Sequence, residues 1–112
     1  MNAMALHHAE SGEVVDLAPL GAGLQQAHTA ALVKTDSFEA IRLVLRAGET
    51  LPAHTVSGRF TLHCLEGEVV LDLPDKSLSL GAHQWVFFDA GVTHGVRAVE
   101  PSSLLLTILL PD

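Results

Sequence analysis

The stretch that decides the fold is RFTLHCLEGEVVLDLPDKSLSL, residues 59–80. It contains three short apolar-rich segments, Arg59–Leu65, Glu68–Leu73 and Ser77–Leu80. They are separated by Glu66-Gly67 and by Pro74-Asp75-Lys76, and residues of these types favour turns. Short apolar segments between such turns are typical of β-strands. The stretch therefore predicts three strands joined by tight turns.

The same pattern continues on both sides of this stretch. Upstream, residues 38–45 have strand-like apolar spacing that ends at Gly48. Downstream, three more strands are predicted, at Trp85–Phe88, Gly95–Val99 and Leu104–Leu109. After Gly48 no window longer than ten residues has a helical face. The pattern predicts one all-β domain over residues 1–112, either a sandwich or a barrel.

The N-terminal third is less regular than the rest of the chain. We interpret residues 1–12 as a loose arm, in which His7 and His8 are either metal ligands or, more commonly for such an arm, solvated side chains. Residues 13–24 suggest a short strand and a turn, and not a helix. The alanines of residues 27–33 leave a strand and a helical turn equally open.

Composition narrows the class of protein. The chain has 112 residues, 48% of them hydrophobic, and a formal net charge of −7. This charge disfavours nucleic acid and anionic membranes as partners. Cys64 is the single cysteine, so no internal disulfide can form. No apolar run approaches the roughly 20 residues that cross a bilayer, and no signal-peptide pattern begins the chain. We therefore expect a cytoplasmic protein.

Two histidines lie at fixed distances in sequence from nearby glycines. Gly48, His54 and Gly67 form one motif, and Gly91 and His94 form a second. In these positions the chain resembles the cupin superfamily, and the resemblance covers roughly residues 38–110. It implies a small antiparallel jelly-roll barrel, the double-stranded β-helix, with a core at about residues 36–110. It also implies a homodimer, to which the N-terminal strand-like segment could contribute by joining a partner's sheet.

The chain departs from the cupin motifs at the positions of the metal ligands. The resemblance implies a metal held by three histidines and a glutamate, but Val56 and Phe60 stand where one histidine and the glutamate are expected. His54 and His94 are the two ligands that remain. A catalytic metal needs at least three protein ligands. We therefore expect no cofactor, or only a weakly bound divalent metal such as Zn, Ni or Fe. The second motif also differs at His83, Asp89 and Ala98.

Strand parity predicts which side chains line the interior. If Phe60 points inward, Leu62 and Cys64 do too, whereas His63 points outward unless a bulge reverses it. The predicted ligand pocket is thus lined by His54, Val56, Phe60, Leu62, Cys64 and His94. Two alternatives stay open: Cys64 could supply a further metal ligand or be an ordinary buried side chain, and Phe60 with its neighbours could fill the barrel. His28 and His83 receive no assigned role.

Three functions are compatible with this pattern. The first is a small-molecule-binding protein of unknown ligand with a degraded metal site. The second is a metal-dependent oxygenase, isomerase or decarboxylase that uses a non-standard ligand set. The third is a metal-free enzyme with His54 or His94 as general base. Near the second motif, Trp85, Phe87 and Phe88 could line the pocket mouth, pack in the core or form a subunit contact. We favour the binding protein, and the sequence leaves open whether any reaction is catalysed.

Overall fold

The structure, a computed structural model, describes residues 8–110. In this part of the chain a short 3₁₀ helix at Gly21–Gln26 precedes nine strands. The strands are β1 (Ala30–Lys34), β2 (Phe38–Leu45), β3 (Thr50–His54), β4 (Phe60–Glu66), β5 (Glu68–Asp72), β6 (Ser77–Gly81), β7 (Trp85–Phe88), β8 (His94–Ala98) and β9 (Ser102–Leu109). No helix among the described residues is long and apolar enough to cross a membrane.

The strands form two antiparallel sheets. The first has five strands in the order β1-β2-β9-β4-β7, and the second has four in the order β3-β8-β5-β6. The predicted all-β jelly-roll class is confirmed, but the prediction of a closed barrel is not. Within residues 8–110 the two sheets do not close into a barrel, because no ladder of hydrogen bonds joins an edge strand of one sheet to an edge strand of the other. The five-stranded sheet therefore has β1 and β7 as its edge strands, and the four-stranded sheet has β3 and β6.

The core lies between the sheets and follows the alternation of strand side chains. In β4, Phe60, Leu62 and Cys64 are at most 1% exposed, whereas His63 lies on the opposite face. The predicted parity of β4 is therefore correct. The long strands β2 and β9 pair along their whole length, from Phe38 with Leu109 to Leu45 with Ser102. They form the centre of the five-stranded sheet and hold β4 in register.

Two glycines mark places where the backbone leaves no room for a side chain. Gly67 has a φ of 84°, in the left-handed region that favours glycine. Its turn joins β4 to β5, and a Cβ there would lie 2.3 Å from the carbonyl oxygen of Pro101. A Cβ on Gly58 would lie 1.6 Å from the carbonyl oxygen of Leu109. These contacts explain why both turns need glycine.

The N-terminal third differs from its prediction. No strand forms within residues 13–20, and residues 21–26 are a 3₁₀ helix instead of a turn. Residues 30–34, which the sequence left ambiguous, form β1. The predicted loose arm, residues 1–12, is only partly described; within it the amide of Ala9 donates to the carbonyl of Leu32 in β1. His7 lies outside the described residues.

A carboxylate attaches this N-terminal segment to the five-stranded sheet. One oxygen of Glu66 accepts hydrogen bonds from the amide of Leu20 at 2.7 Å and from the hydroxyl of Ser103 at 2.6 Å. Its other oxygen accepts from the amide of Gly21 at 3.0 Å, and the Arg42 guanidinium lies 3.7 Å from the first oxygen. Burial raises the pKa of Glu66, but these donors together hold it below its ordinary value. The short strand expected within residues 13–24 does not form, and the amides of Leu20 and Gly21 bond to a side chain and not to a neighbouring strand.

Candidate functional site

His54 and His94 are brought together, as their motif positions predicted. They are direct cross-strand partners at the ends of β3 and β8. Their ring centroids are 4.5 Å apart, with the rings inclined at 48°. His94 is only 4% exposed, whereas His54 is exposed to solvent. The pair therefore has one imidazole in the protein interior and one at its surface.

Hydrogen bonds determine which nitrogen of each ring carries the proton. Nδ1 of His54 is 3.1 Å from the carbonyl oxygen of Pro52, and Nδ1 of His94 is 3.0 Å from that of Val92. A carbonyl oxygen can only accept, so each Nδ1 must be the donor. In a neutral imidazole the other nitrogen, Nε2, then has a lone pair. Both rings are held in the same tautomer by their own strand ends.

The surroundings of His94 favour its neutral form. Burial lowers the pKa of His94, the bond to the Val92 carbonyl raises it, and the neighbouring His54 lowers it; the net direction is downward. His94 is thus an uncharged acceptor at neutral pH.

Apolar rings surround the inner side of the pair. The Phe60 ring lies 4.4 Å from the ring of His94 and 5.2 Å from that of Phe88, measured between centroids. Val56 is partly buried, and its carbonyl accepts a hydrogen bond from the amide of Gly91 at 3.0 Å. This bond ties the loop after β3 to the loop before β8. Phe60 therefore lies beside the histidine pair, and Val56 lies two residues after His54 in a loop bonded to the one that leads to His94.

The other predicted lining residues lie deeper in the core. Leu62 and Cys64 belong to the main hydrophobic cluster between the sheets. Cys64 is four residues from Phe60 along β4, which corresponds to about 13 Å. Its thiol lies within hydrogen-bond distance of the Glu66 carbonyl, and burial raises the pKa of the thiol. The irregularity in β4 follows Cys64, so it does not turn His63 inward. The pocket lined by all six residues stays a prediction.

The donor set near the pair does not fit a metal held by three or more protein ligands. Within residues 8–110, no group of three or more His, Cys, Asp or Glu side chains is placed to hold a metal ion. His54 and His94 supply two nitrogens, and their neighbours Val56 and Phe60 supply no donor. The remaining described histidines outside β4, which are His8, His28 and His83, are exposed.

Two grooves lie away from the histidine pair, and sequence reasoning missed both. One, of about 380 Å³, opens between edge strands β6 and β7 and is lined by Leu71, Leu78, Ser79, Leu80, Gln84, Trp85 and Val86. The other, of about 550 Å³, lies beside β1 and is lined by Ala9, Glu10, Ser11, Val33, Lys34, Thr35 and Phe38. Both depend on which strands are sheet edges, and a strand pattern alone does not contain that information.

The chain is similar to known proteins in its structure, but no match to it was found by sequence. No family profile and no curated protein matches the chain. Among solved structures, a conserved protein of unknown function from Streptococcus pyogenes has a TM-score of 0.75 and 22% identity, with 99% of each chain covered. An RmlC-like cupin from Desulfovibrio desulfuricans has a TM-score of 0.70 and 23% identity over 94% of this chain and 100% of the other.

A third similar structure is a cupin superfamily protein from Desulfitobacterium hafniense. It has a TM-score of 0.72 and 19% identity, and the match covers 74% of this chain and 76% of that one. At these identities the likeness concerns the arrangement of strands and not the chemistry of the site. Together with the two antiparallel sheets and the paired motif histidines, it shows that this chain has the fold of the cupin superfamily.

Proposed function

We propose that this chain is a small-molecule-binding protein whose ligand is held at the His54–His94 pair. One observation carries the proposal: both Nδ1 atoms donate to backbone carbonyls, so both Nε2 atoms are left as acceptors. Two fixed acceptors beside apolar rings suit a ligand with a hydroxyl or N–H group on a largely apolar body. His54, which is exposed, would meet the ligand at the surface.

We further propose that the pair is what remains of a metal site. Two imidazoles fall short of the three protein ligands of a catalytic metal, and Val56 and Phe60 stand beside them in place of donors. Zinc, nickel or ferrous iron would then bind weakly, completed by water or by the ligand itself. We also propose a cytoplasmic location, because the one cysteine, Cys64, is a buried free thiol.

The experiment compares matched probes that differ in one donor. Phenol and its methyl ether anisole share a ring, but only phenol can donate to an imidazole Nε2. We expect ligand-observed NMR to show phenol binding about 5- to 10-fold more tightly than anisole, which is the effect of about one hydrogen bond. His54→Ala should reduce that ratio, and His28→Ala, a change at another exposed histidine, should not.

Two outcomes of the phenol and anisole comparison would contradict the proposal. If phenol and anisole bind alike, the imidazoles are not acting as acceptors. If the preference for phenol survives His54→Ala, the probe binds elsewhere, and the groove beside Trp85 becomes the site to map. The same pair of probes can be extended to cyclic alcohols and their ethers without changing the design.

A further inference from the structure

The groove between β6 and β7 opens onto the core of the protein. These two strands are edge strands of different sheets, and within residues 8–110 no ladder of hydrogen bonds joins them. Two of the lining residues, Leu71 and Leu80, belong to the core and are 1% and 5% exposed. Leu78 and Val86 also line the groove, and they are partly buried side chains packed against the same core. The groove has a volume of about 380 Å³, which is sufficient for a small molecule, since ligand pockets typically measure about 300–1,000 Å³.

The turn that joins β6 to β7 has an uncommon backbone conformation. His83 has a φ of 72°, and it is the one non-glycine residue with a positive φ among residues 8–110. Its amide donates to the carbonyl of Cys64 at 2.7 Å, and the amide of Cys64 donates to the carbonyl of Gln84 at 2.9 Å. A side chain in this left-handed region costs energy, so the conformation persists only where the surrounding structure imposes it, and such residues concentrate at functional sites. The turn therefore holds Gln84 in a defined place beside the groove.

The side chain of Gln84, which lines the groove, has its acceptor occupied and its donors free. The amide of Gln84 donates to the carbonyl of Gly81 at 3.0 Å, and the amide of Gly81 donates back to the Gln84 side chain at 2.8 Å. A backbone amide can only donate, so the side-chain atom that it meets must be the oxygen, Oε1. The nitrogen, Nε2, then carries two N–H groups, and neither has a hydrogen-bonding partner within residues 8–110. Gln84 thus offers the groove hydrogen-bond donors.

Charge and hydrogen bonding together indicate the class of ligand. The seven lining residues include no charged side chain, and the chain has a formal net charge of −7. A carboxylate or phosphate would meet no cation in the groove and would be repelled by the chain as a whole. The donors of Gln84 instead suit a neutral ligand with a carbonyl oxygen, which can only accept. This preference is opposite to that of the histidine pair, which offers acceptors.

We propose that this groove is a second binding site, for neutral molecules that combine an apolar body with a carbonyl oxygen, such as ketones, esters and amides. The apolar body lies against Leu78 and Val86, and the carbonyl oxygen accepts a hydrogen bond from Nε2 of Gln84. The residues that line the groove include neither His54 nor His94. The two sites can therefore be tested separately.

Two NMR signals of the full-length chain report on the groove. Trp85 lines the groove and is the only tryptophan, so its indole N–H gives a single signal in a proton–nitrogen correlation spectrum. The side-chain amide of Gln84 gives the other. The probes are acetophenone and ethylbenzene, which share a ring but differ in the carbonyl oxygen. We expect acetophenone to shift both signals and to bind about 5- to 10-fold more tightly than ethylbenzene, which is the effect of about one hydrogen bond.

The matched variant is Gln84→Glu, whose carboxylate can still accept from the Gly81 amide but has no N–H to donate. It should remove the preference for acetophenone and leave the binding of ethylbenzene unchanged, whereas a merely structural role of Gln84 would weaken both probes. If this variant fails to fold by circular dichroism, Gln84→Met replaces it, because methionine has a similar length and no donor. The expected result is the same.

His54→Ala separates this site from the histidine pair, and acetophenone should bind to it as it does to the wild type. The proposal is overturned if neither probe shifts the Trp85 signal or if the two probes bind alike to the wild type. It is also overturned if the Gln84 variant keeps the preference for acetophenone or weakens both probes equally, or if His54→Ala abolishes acetophenone binding.

Discussion

Placing two donors at positions 56 and 60 should create a site that holds metal more tightly than we expect the wild type to do. The double change Val56→His and Phe60→Glu would place an imidazole and a carboxylate beside His54 and His94. The positions are suitable, since the ring of Phe60 lies 4.4 Å from that of His94 and the Val56 carbonyl bonds the loop that leads to His94. Three nitrogens and one carboxylate form a complete first coordination shell for zinc.

The expected cost follows from burial. Phe60 is 0% exposed, so removing its ring should cost about 3–5 kcal/mol, as for other large core truncations. Val56 is only partly buried, and its replacement should add little. For a domain of this size about 4 kcal/mol corresponds to a fall of roughly 16 °C in Tm. Metal at 100 times its Kd then returns about 2.7 kcal/mol, or roughly 11 °C.

The assay is thermal unfolding followed by circular dichroism, after dialysis against chelator and then with added zinc, nickel or ferrous iron. The wild type should shift by less than about 2 °C, because two imidazoles bind these ions weakly. The matched control is Val56→His with Phe60→Gln, which has nearly the shape of the double variant but lacks its carboxylate. It should show a smaller metal shift than the double variant.

A folded double variant with no metal-dependent shift would refute the placement of positions 56 and 60 as lost ligand positions. If the double variant is unfolded at room temperature, Val56→His alone remains testable. It leaves Phe60 in the core and brings three imidazoles together, and it should show a small upward shift with nickel or zinc. A wild type that retains one metal ion per chain after chelator treatment would contradict the expectation that His54 and His94 alone bind metal weakly.

Two further predictions concern the scaffold. Because the pKa of Glu66 is lowered in the folded chain, its contribution to stability is present above the unfolded-state pKa of about 4.3 and is lost as pH falls through and below that value. Urea unfolding should show Glu66→Gln to be about 1–3 kcal/mol less stable than wild type at pH 7, with the difference shrinking between pH 5 and pH 3; a constant difference would contradict this. Gly58→Ala should lower the free energy of unfolding by at least about 1–3 kcal/mol, because its Cβ would overlap the Leu109 carbonyl. Gly23→Ala, whose Cβ meets nothing within 4 Å, should stay within about 0.5–1 kcal/mol of wild type in the same measurement, and equal losses in both would be evidence against the steric argument.

Most strands after residue 37 were predictable because their signals are local. Alternating apolar residues and Gly or Pro turns mark each strand within one or two residues of its observed limits. The exception is β3, which contains Pro52 and is largely exposed. Proline is tolerated there because β3 is the edge of the four-stranded sheet. An edge strand with little burial has no alternation to detect.

Features that depend on distant residues were not predictable. The segment before β1 was misread because its partner, Glu66, is 46 residues from Leu20 in sequence. The meeting of His54 and His94 could be inferred only through the resemblance, since nothing local links β3 to β8. The grouping of exposed apolar side chains around Trp85 also depends on register across strands, which composition and spacing do not reveal.

The pairing of β2 with β9 has a consequence for how the chain folds. Phe38 lies opposite Leu109, so the central pair of the five-stranded sheet joins the second strand of the chain to the last described one. Loop closure over so many residues must be completed before this pair gains its hydrogen bonds, and such non-local topologies fold slowly, in milliseconds to seconds. During synthesis on the ribosome, β2 therefore waits with its apolar side chains uncovered until β9 has left the exit tunnel. We expect substitutions that weaken the β2–β9 pair to lower the free energy of unfolding and, to the extent that the pair has formed in the transition state, to slow refolding as well.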